Sequence, residues 1–166
     1  MIIRNETESD IHAISEVTRA AFENLAISNH TEEFIIHALR AAQALTISLV
    51  AEVDGAVAGH IALSPVTLSD GSRHWYGLGP ISVLPEYQRR GIGRALVQEG
   101  LSRLKARGAE GCVLVGDPGY YERFGFRSVP ELTHEGVPRE NVLVLPFDGN
   151  KARGVVAFHR GFGATR

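Results

Sequence analysis

Gln88-Arg89-Arg90-Gly91-Ile92-Gly93-Arg94 places three arginines and two glycines at the mouth of a helical pattern carried by Ile92, Leu96, Val97, Leu101 and Leu104. A helix starts with N–H groups that have no intrahelical acceptor, and its dipole adds partial positive charge there. Gly91 and Gly93 have no Cβ to hold a ligand off the main chain, so phosphate oxygens can reach these donors. Arg89, Arg90 and Arg94 add charge. Each charge-assisted hydrogen bond contributes roughly 1.5–3 kcal/mol, against about 0.3–1 kcal/mol for the dipole alone, so several donors acting together dominate.

Two other readings of these residues stay open on spacing alone. The glycines also suit a tight turn with solvated arginines. A dinucleotide-binding entry competes too, because Gly-x-Gly leads into a helix and Asp117 follows the next strand near the distance of a ribose-binding acid. Against that reading, Leu96 stands where the third glycine belongs, and "LPEYQRR" separates the strand from Gly91. A Walker-type G-x-x-x-x-G-K-[ST] string is absent.

The elements that must position this stretch are legible from periodicity. Thr7 with Asp10 suits a helix start, and Ile11, Ile14, Val17, Ala21 and Leu25 recur at helical spacing. A shorter helix follows Thr31, with Phe34, Ile35, Ala38, Leu39 and Ala42 on one face. From Thr46 the period changes: "TISLVAEV" and "AVAGHIALSPVTL" flank Asp54-Gly55, a strong hairpin signal. A second turn at Asp70-Gly71 leads to "LGPISVL", which makes a three-strand meander and a partly antiparallel sheet. The helix after Gly91 stops near Gly108, with Lys105 and Arg107 in its last turn. Then come a strand at "CVLVG", a brief helix at "PGYYERF", and strands at "GFRSVP" and "NVLVLPF".

The chain of 166 residues is 44% hydrophobic and 22% charged, which fits one ordinary domain over residues 1–166, with 148–166 docking on it as a C-terminal tail. The net charge of −2 gives no global sign of nucleic-acid binding. The one cysteine, Cys112, lies in an apolar run and reads as a buried structural thiol, a usage that suits a reducing cytoplasm. No basic-then-apolar leader and no apolar run of bilayer length is present, so neither secretion nor a membrane partner is expected. The seven histidines show no metal-ligand spacing, and no metal is expected.

"VLPEYQRRGIGRAL" resembles the acyl-CoA-binding motif of the GNAT superfamily of N-acyltransferases, Q/R-x-x-G-x-G/A, with Gln88, Gly91 and Gly93 filling it. "YYERFGF" resembles that family's second motif, and "GDPGYYERFGF" resembles an uncharacterised bacterial branch of the superfamily. The order of elements over roughly residues 1 to 147 agrees. The resemblance implies an α/β fold with a mixed, mostly antiparallel central sheet flanked by helices, and a V-shaped splay between the motif strand and the next. It implies acetyl-CoA as co-substrate, with backbone N–H groups of about Arg89 to Arg94, including Ile92, on the pyrophosphate. Ile81, Ser82 and Val83 would line pantetheine through the main chain, with Val83 N–H polarising the thioester carbonyl. Tyr121 matches the family's frequent general acid. Where many relatives carry an asparagine before that helix, this chain has Gly116, Asp117 and Pro118. Many members form homodimers, and a homodimer is among the assemblies the resemblance allows.

Direct transfer needs a neutral amine, a stabilised oxyanion and a protonated leaving thiolate. A phenol with a reference pKa of about 10 stays protonated at neutral pH, and general acid help is worth roughly 10²–10⁴ in rate. Tyr121 beside Phe124 and Phe126 also reads as a core aromatic. An acceptor with a lysine-like pKa loses its proton at a cost of about 4.6 kcal/mol at pH 7, against about 1 kcal/mol for an α-amine. Glu52 and His60, on the hairpin, are candidates for the base, and neither is assigned. The acceptor is expected to be a small-molecule or peptide amine. The rival reading is a non-catalytic acyl-CoA sensor or interaction module that keeps the cradle without an acceptor site.

Overall fold

The computed structural model describes residues 1–166. Strand β1 (Ile2–Asn5) pairs antiparallel with β2 (Ile47–Val53), Ile3 opposite Ala51. The chain then turns at Thr7, whose N–H donates to Asp10 Oδ2 at 2.7 Å, a capping box that starts a short 3-10 turn and α1 (Ile11–Phe22). Arg4 Nη1 reaches the same carboxylate at 2.7 Å and ties β1 to the helix start. Helix α1 buries Ile14 and Val17, and α2 (Glu32–Ala41) buries Ile35, Ile36 and Leu39. Two expectations of periodicity are corrected here. Leu25 lies beyond α1, where its N–H closes a turn onto Phe22 O at 3.1 Å, and its side chain is exposed. Ile36, rather than Phe34, faces inward beside Ile35.

At the hairpin, Asp54 (φ 51°) and Gly55 (φ 80°) both take left-handed backbone, the requirement of a type I′ turn, and join β2 to β3 (Ala56–Leu68). Strand β4 (Trp75–Val83) completes the meander. Helix α3 (Ile92–Ala106) ends where Gly108 turns left-handed at φ 78° and Ala109 N–H reaches back to Leu104 O at 3.1 Å. Strand β5 (Gly111–Val115) pairs parallel with β4 from Trp75↔Gly111 to Gly77↔Val113. The ladder stops there, although β4 runs on to Val83 and β5 to Val115. Helix α4 (Pro118–Tyr121) follows. Next come the two-residue β6 (Leu132–Thr133), β7 (Val142–Pro146) and β8 (Gly154–Phe158).

Residues 125–130 do not form the expected strand. Gly125 turns at φ 96°, Pro130 has no N–H to donate, and one bridge, Arg127↔Val144, is what pairing remains. Hydrogen-bonded neighbours run β1-β2-β3-β4-β5-β7, with β8 pairing β3 and β6. Ladders β1·β2, β2·β3, β3·β8 and β5·β7 are antiparallel, so the sheet is mixed and mostly antiparallel.

The chain divides into two compact units, Met1–Leu63 with Gly79–Gly100 and Arg160–Arg166, and Ser64–Leu78 with Leu101–His159. In the first, Ile14, Ile36 and Val50 form one buried cluster, and Ile35, Leu39 and Ala44 form another with Phe162 against it. In the second, Trp75 centres a cluster with Val66, Val113, Leu132, Val144 and Val156. A Cβ on Gly111 would overlap the Trp75 ring, so glycine lets the indole lie on the strand.

Candidate active site

The phosphate-type entry lies wholly in the first unit. After Val83 a 3-10 turn with Pro85 at its start (Pro85–Tyr87) redirects the chain, and Gln88 Nε2 donates to Val83 O at 3.0 Å, closing the loop on the strand it left. Arg89 (φ 65°) and Gly91 (φ 83°) take left-handed backbone, and no atom would crowd a Cβ on Gly91. That glycine therefore serves a backbone conformation rather than a shortage of space. Ile92 is buried and anchors the first turn of α3. Ala95 N–H donates to Gly91 O at 3.0 Å, so the N–H groups just ahead of it precede the first intrahelical bond. Arg89, Arg90, Gly91 and Arg94 are exposed around that end, with the Arg90 guanidinium 5.2 Å from the Tyr87 ring centre.

Close packing behind this loop explains a glycine that spacing did not flag. A Cβ at Gly59 of β3 would stand 3.0 Å from Ser82 O and 3.1 Å from the Ile92 side chain, so β3, β4 and α3 approach each other where Gly59 allows it. Ile81 and Val83 are half-buried, while Ser82 is buried.

Tyr121 belongs to the second unit. Asp117 caps α4 by accepting from Gly119 N at 3.0 Å, so its carboxylate is engaged at the helix start, contrary to the ribose-binding reading. The Tyr121 ring lies over Gly116, where an added Cβ would stand 2.7 Å away. Gly116 is held in turn by Asn141, which accepts from Gly116 N at 3.0 Å and donates its side-chain amide to Gly116 O at 3.1 Å. Tyr120 and Phe126 meet the Tyr121 ring edge-on, with centres 4.9 and 6.0 Å away. Burial pushes the Tyr121 hydroxyl up to about 12, so it is a phenol, and a proton donor, across the neutral range. Gly116 and Asn141 left no sequence signal, because a glycine under a ring looks like any other glycine.

Of the hairpin's candidate bases, Glu52 is paired with Arg4 at 3.3 Å. His60 is fully buried. Its Nε2 lies 2.7 Å from Ser48 Oγ, Ser48 also donates to Glu6, and Glu6 accepts from Arg40 at 2.9 and 3.0 Å. Cys112 is buried, and burial pushes its thiol up, away from thiolate chemistry. No group of three or more His, Cys, Asp or Glu side chains is placed to hold a metal, and no helix is long and apolar enough to cross a membrane.

A mixed, mostly antiparallel open sheet flanked by helices, whose fourth strand leads through an arginine-lined glycine turn into a helix, defines the class of α/β protein to which the chain is compared. The chain belongs to the acetyltransferase (GNAT) family, whose model matches residues 11–126. The uncharacterised N-acetyltransferase YhbS of Escherichia coli K12 is 39% identical over 127 residues, 76% of this chain and 73% of the relative. The crystal structure of YhbS in complex with CoA covers 99% of this chain and 95% of that one at 32% identity, with a TM-score of 0.88. A GNAT family acetyltransferase from Brucella melitensis, solved in complex with acetyl-CoA, is 49% identical over 97% of each chain, with a TM-score of 0.87. The family and fold that the two motifs implied are those of these relatives.

Proposed function

We propose that this protein moves an acetyl group from acetyl-CoA to a small-molecule or peptide amine by direct attack. The observation that carries the reading is the entry to α3: a left-handed Gly91, main-chain donors ahead of the first helical bond, and the exposed cations Arg89, Arg90 and Arg94 around them. Gln88 holds the loop on Val83, and the N–H groups from about Arg89 to Arg94, those of Ile92 and Gly93 included, take the pyrophosphate. The main chain of Ile81, Ser82 and Val83 pairs with pantetheine, and Val83 N–H takes the carbonyl oxygen as it gains negative charge. The amine nitrogen forms a bond to the thioester carbon, the carbon–sulfur bond breaks, and the Tyr121 hydroxyl protonates the departing sulfur. The phenol is protonated throughout the neutral range, so it reaches the thiolate with its proton in place. The lone cysteine fits work in a reducing cytoplasm. The test is transfer itself: acetyl-CoA with a panel of primary amines, read as free thiol and as acetylated amine by mass spectrometry. Thiol without acetyl-amine sinks the proposal, as does neither.

A further inference from the structure

The second unit holds a cavity of about 460 Å³ beside residues 144–146 of β7, with residues 125–131 on one side and 149–153 on the other. Local sequence builds both walls. Phe147-Asp148-Gly149-Asn150 closes a turn, with Asn150 N–H on Phe147 O at 3.0 Å and left-handed backbone at Asp148 (φ 52°) and Gly149 (φ 76°). Asn150 Nδ2 also donates to Glu110 O at 3.2 Å, which pins the turn beside the start of β5. The other wall is tied at two points. Arg127 and Val144 exchange N–H···O bonds of 3.1 and 2.9 Å, and Gly154 N–H donates to Glu131 O at 2.7 Å. Main-chain bonds on both sides thus preform the cavity.

Its floor is apolar: Val144 and Ala152 are buried members of the Trp75 cluster, and Val129 packs against that cluster. Its rim is cationic. Arg127, Lys151 and Arg153 line the cavity and are exposed, and none forms an ion pair, whereas Arg4, Arg19 and Arg40 each close on a carboxylate. Glu131 lines the same cavity and pairs with none of the three, and Asp70, outside it, feels Arg153 without closing a bridge. The lining therefore sets three positive charges against one negative.

Like charges around one cavity repel, and an anion among them relieves that repulsion while an apolar body covers the floor. Two of the three are guanidiniums, whose planar forks take carboxylate or phosphate oxygens in pairs. The volume falls within the range of small-molecule sites, roughly 300–1,000 Å³. Glu131, which only accepts hydrogen bonds, suits a hydroxyl or amino group on the ligand and disfavours a dense polyanion.

We infer that this cavity binds a small organic anion, an apolar body bearing a carboxylate or phosphate that Arg127, Lys151 and Arg153 hold. It is a second ligand site, and it does not rest on the acetyl-transfer reading. None of its lining residues belongs to the turn from β4 into α3. Gly116, under the Tyr121 ring, lies three residues past Val113, the partner of Val144, or roughly 10 Å further along the ladder.

The experiment is amide ¹H,¹⁵N NMR of the full chain, with and without acetyl-CoA, titrated with phenyl phosphate, benzoate, inorganic phosphate and benzyl alcohol. Phenyl phosphate, benzoate or both should shift the amides of Arg127 and of residues 149–153 saturably, whether or not acetyl-CoA is present; the tighter of the two names the anion. Inorganic phosphate should bind there about tenfold more weakly, for want of an apolar body, and benzyl alcohol should not saturate. Arg127→Ala combined with Arg153→Ala should weaken the organic anion by about tenfold or more, with the acetyl-CoA Kd unchanged. The inference is overturned if neither organic anion saturates those amides, if inorganic phosphate or benzyl alcohol binds as tightly, if acetyl-CoA displaces the anion, or if the double variant binds it equally. Should that variant fail to fold, the four probes on the unaltered chain decide alone. A chain that takes no acetyl-CoA would overturn the donor reading and leave this one to the same titrations.

Discussion

Tyr121 shows how a side chain's surroundings set its chemistry. Its ring rests on the bare backbone of Gly116 between Tyr120 and Phe126, and burial raises its hydroxyl to about 12. In Tyr121→Phe the packing is kept and the donor lost, so kcat should fall by about 100-fold or more while acetyl-CoA affinity stays nearly constant. Steady-state kinetics with a calorimetric Kd would check this, and an unaltered kcat would remove Tyr121 from the reaction. The phenol was legible because it sits in a local motif. The chain from Glu6 through Ser48 to His60 was not, since its members lie 42 and 12 residues apart and only strand pairing brings them together. Sequence reading stopped at His60 as one of two unassigned bases for that reason.

At the scale of elements, the turn from β4 into α3 is the proposed donor site. Gly91 at φ 83° holds a backbone shape that a β-branched residue adopts only under strain, so Gly91→Val should distort the entry and weaken acetyl-CoA binding. Replacing Arg89, Arg90 and Arg94 together by alanine should also weaken it and flatten the dependence of Kd on ionic strength, since exposed charges are screened by salt. Titration calorimetry at low and high salt reads both effects; an unchanged Kd and salt slope in the triple variant would show that the cations are bystanders. Elements with local punctuation were readable in advance: the Asp54-Gly55 hairpin, the Gly108 stop, the switch from a period of two to a helical one. The stretch after Phe126 was misread because apolar residues beside Pro130 suggest a strand, whereas its missing donor and the turn at Gly125 limit it to one bridge.

Over the whole molecule, a neutral buried histidine links stability to pH. His60 titrates near 6.5 in the unfolded chain and at about 4 in the fold. As pH falls, the unfolded state takes the proton first, so His60's contribution is complete above the unfolded value and is lost between there and about pH 4. The loss amounts to about 3 kcal/mol at most. Asp10, held low chiefly by its hydrogen bond from Arg4, adds a further loss below the ordinary carboxylate range. Urea midpoints should therefore drop between neutral and mildly acidic pH, with a flatter profile in His60→Gln. Equal midpoints across that range would show that His60 charges freely in the fold. A meander and a partly antiparallel sheet were legible from the order of elements, and the mixed, mostly antiparallel architecture from the resemblance of the two motifs, while the strand in the tail, Gly154–Phe158, was hidden because its partners on β3 and β6 are distant in sequence.

The most direct test of acetyl transfer joins the donor and acceptor halves in one tube. Protein, acetyl-CoA and a panel of primary amines are incubated, and the products are resolved by mass spectrometry alongside the intact protein. The account predicts free CoA and acetylated amine in equal amounts, with no acetyl group left on the protein. An acetylated protein in place of acetylated amine, or acetyl-CoA that binds and is never consumed with any amine, would contradict it.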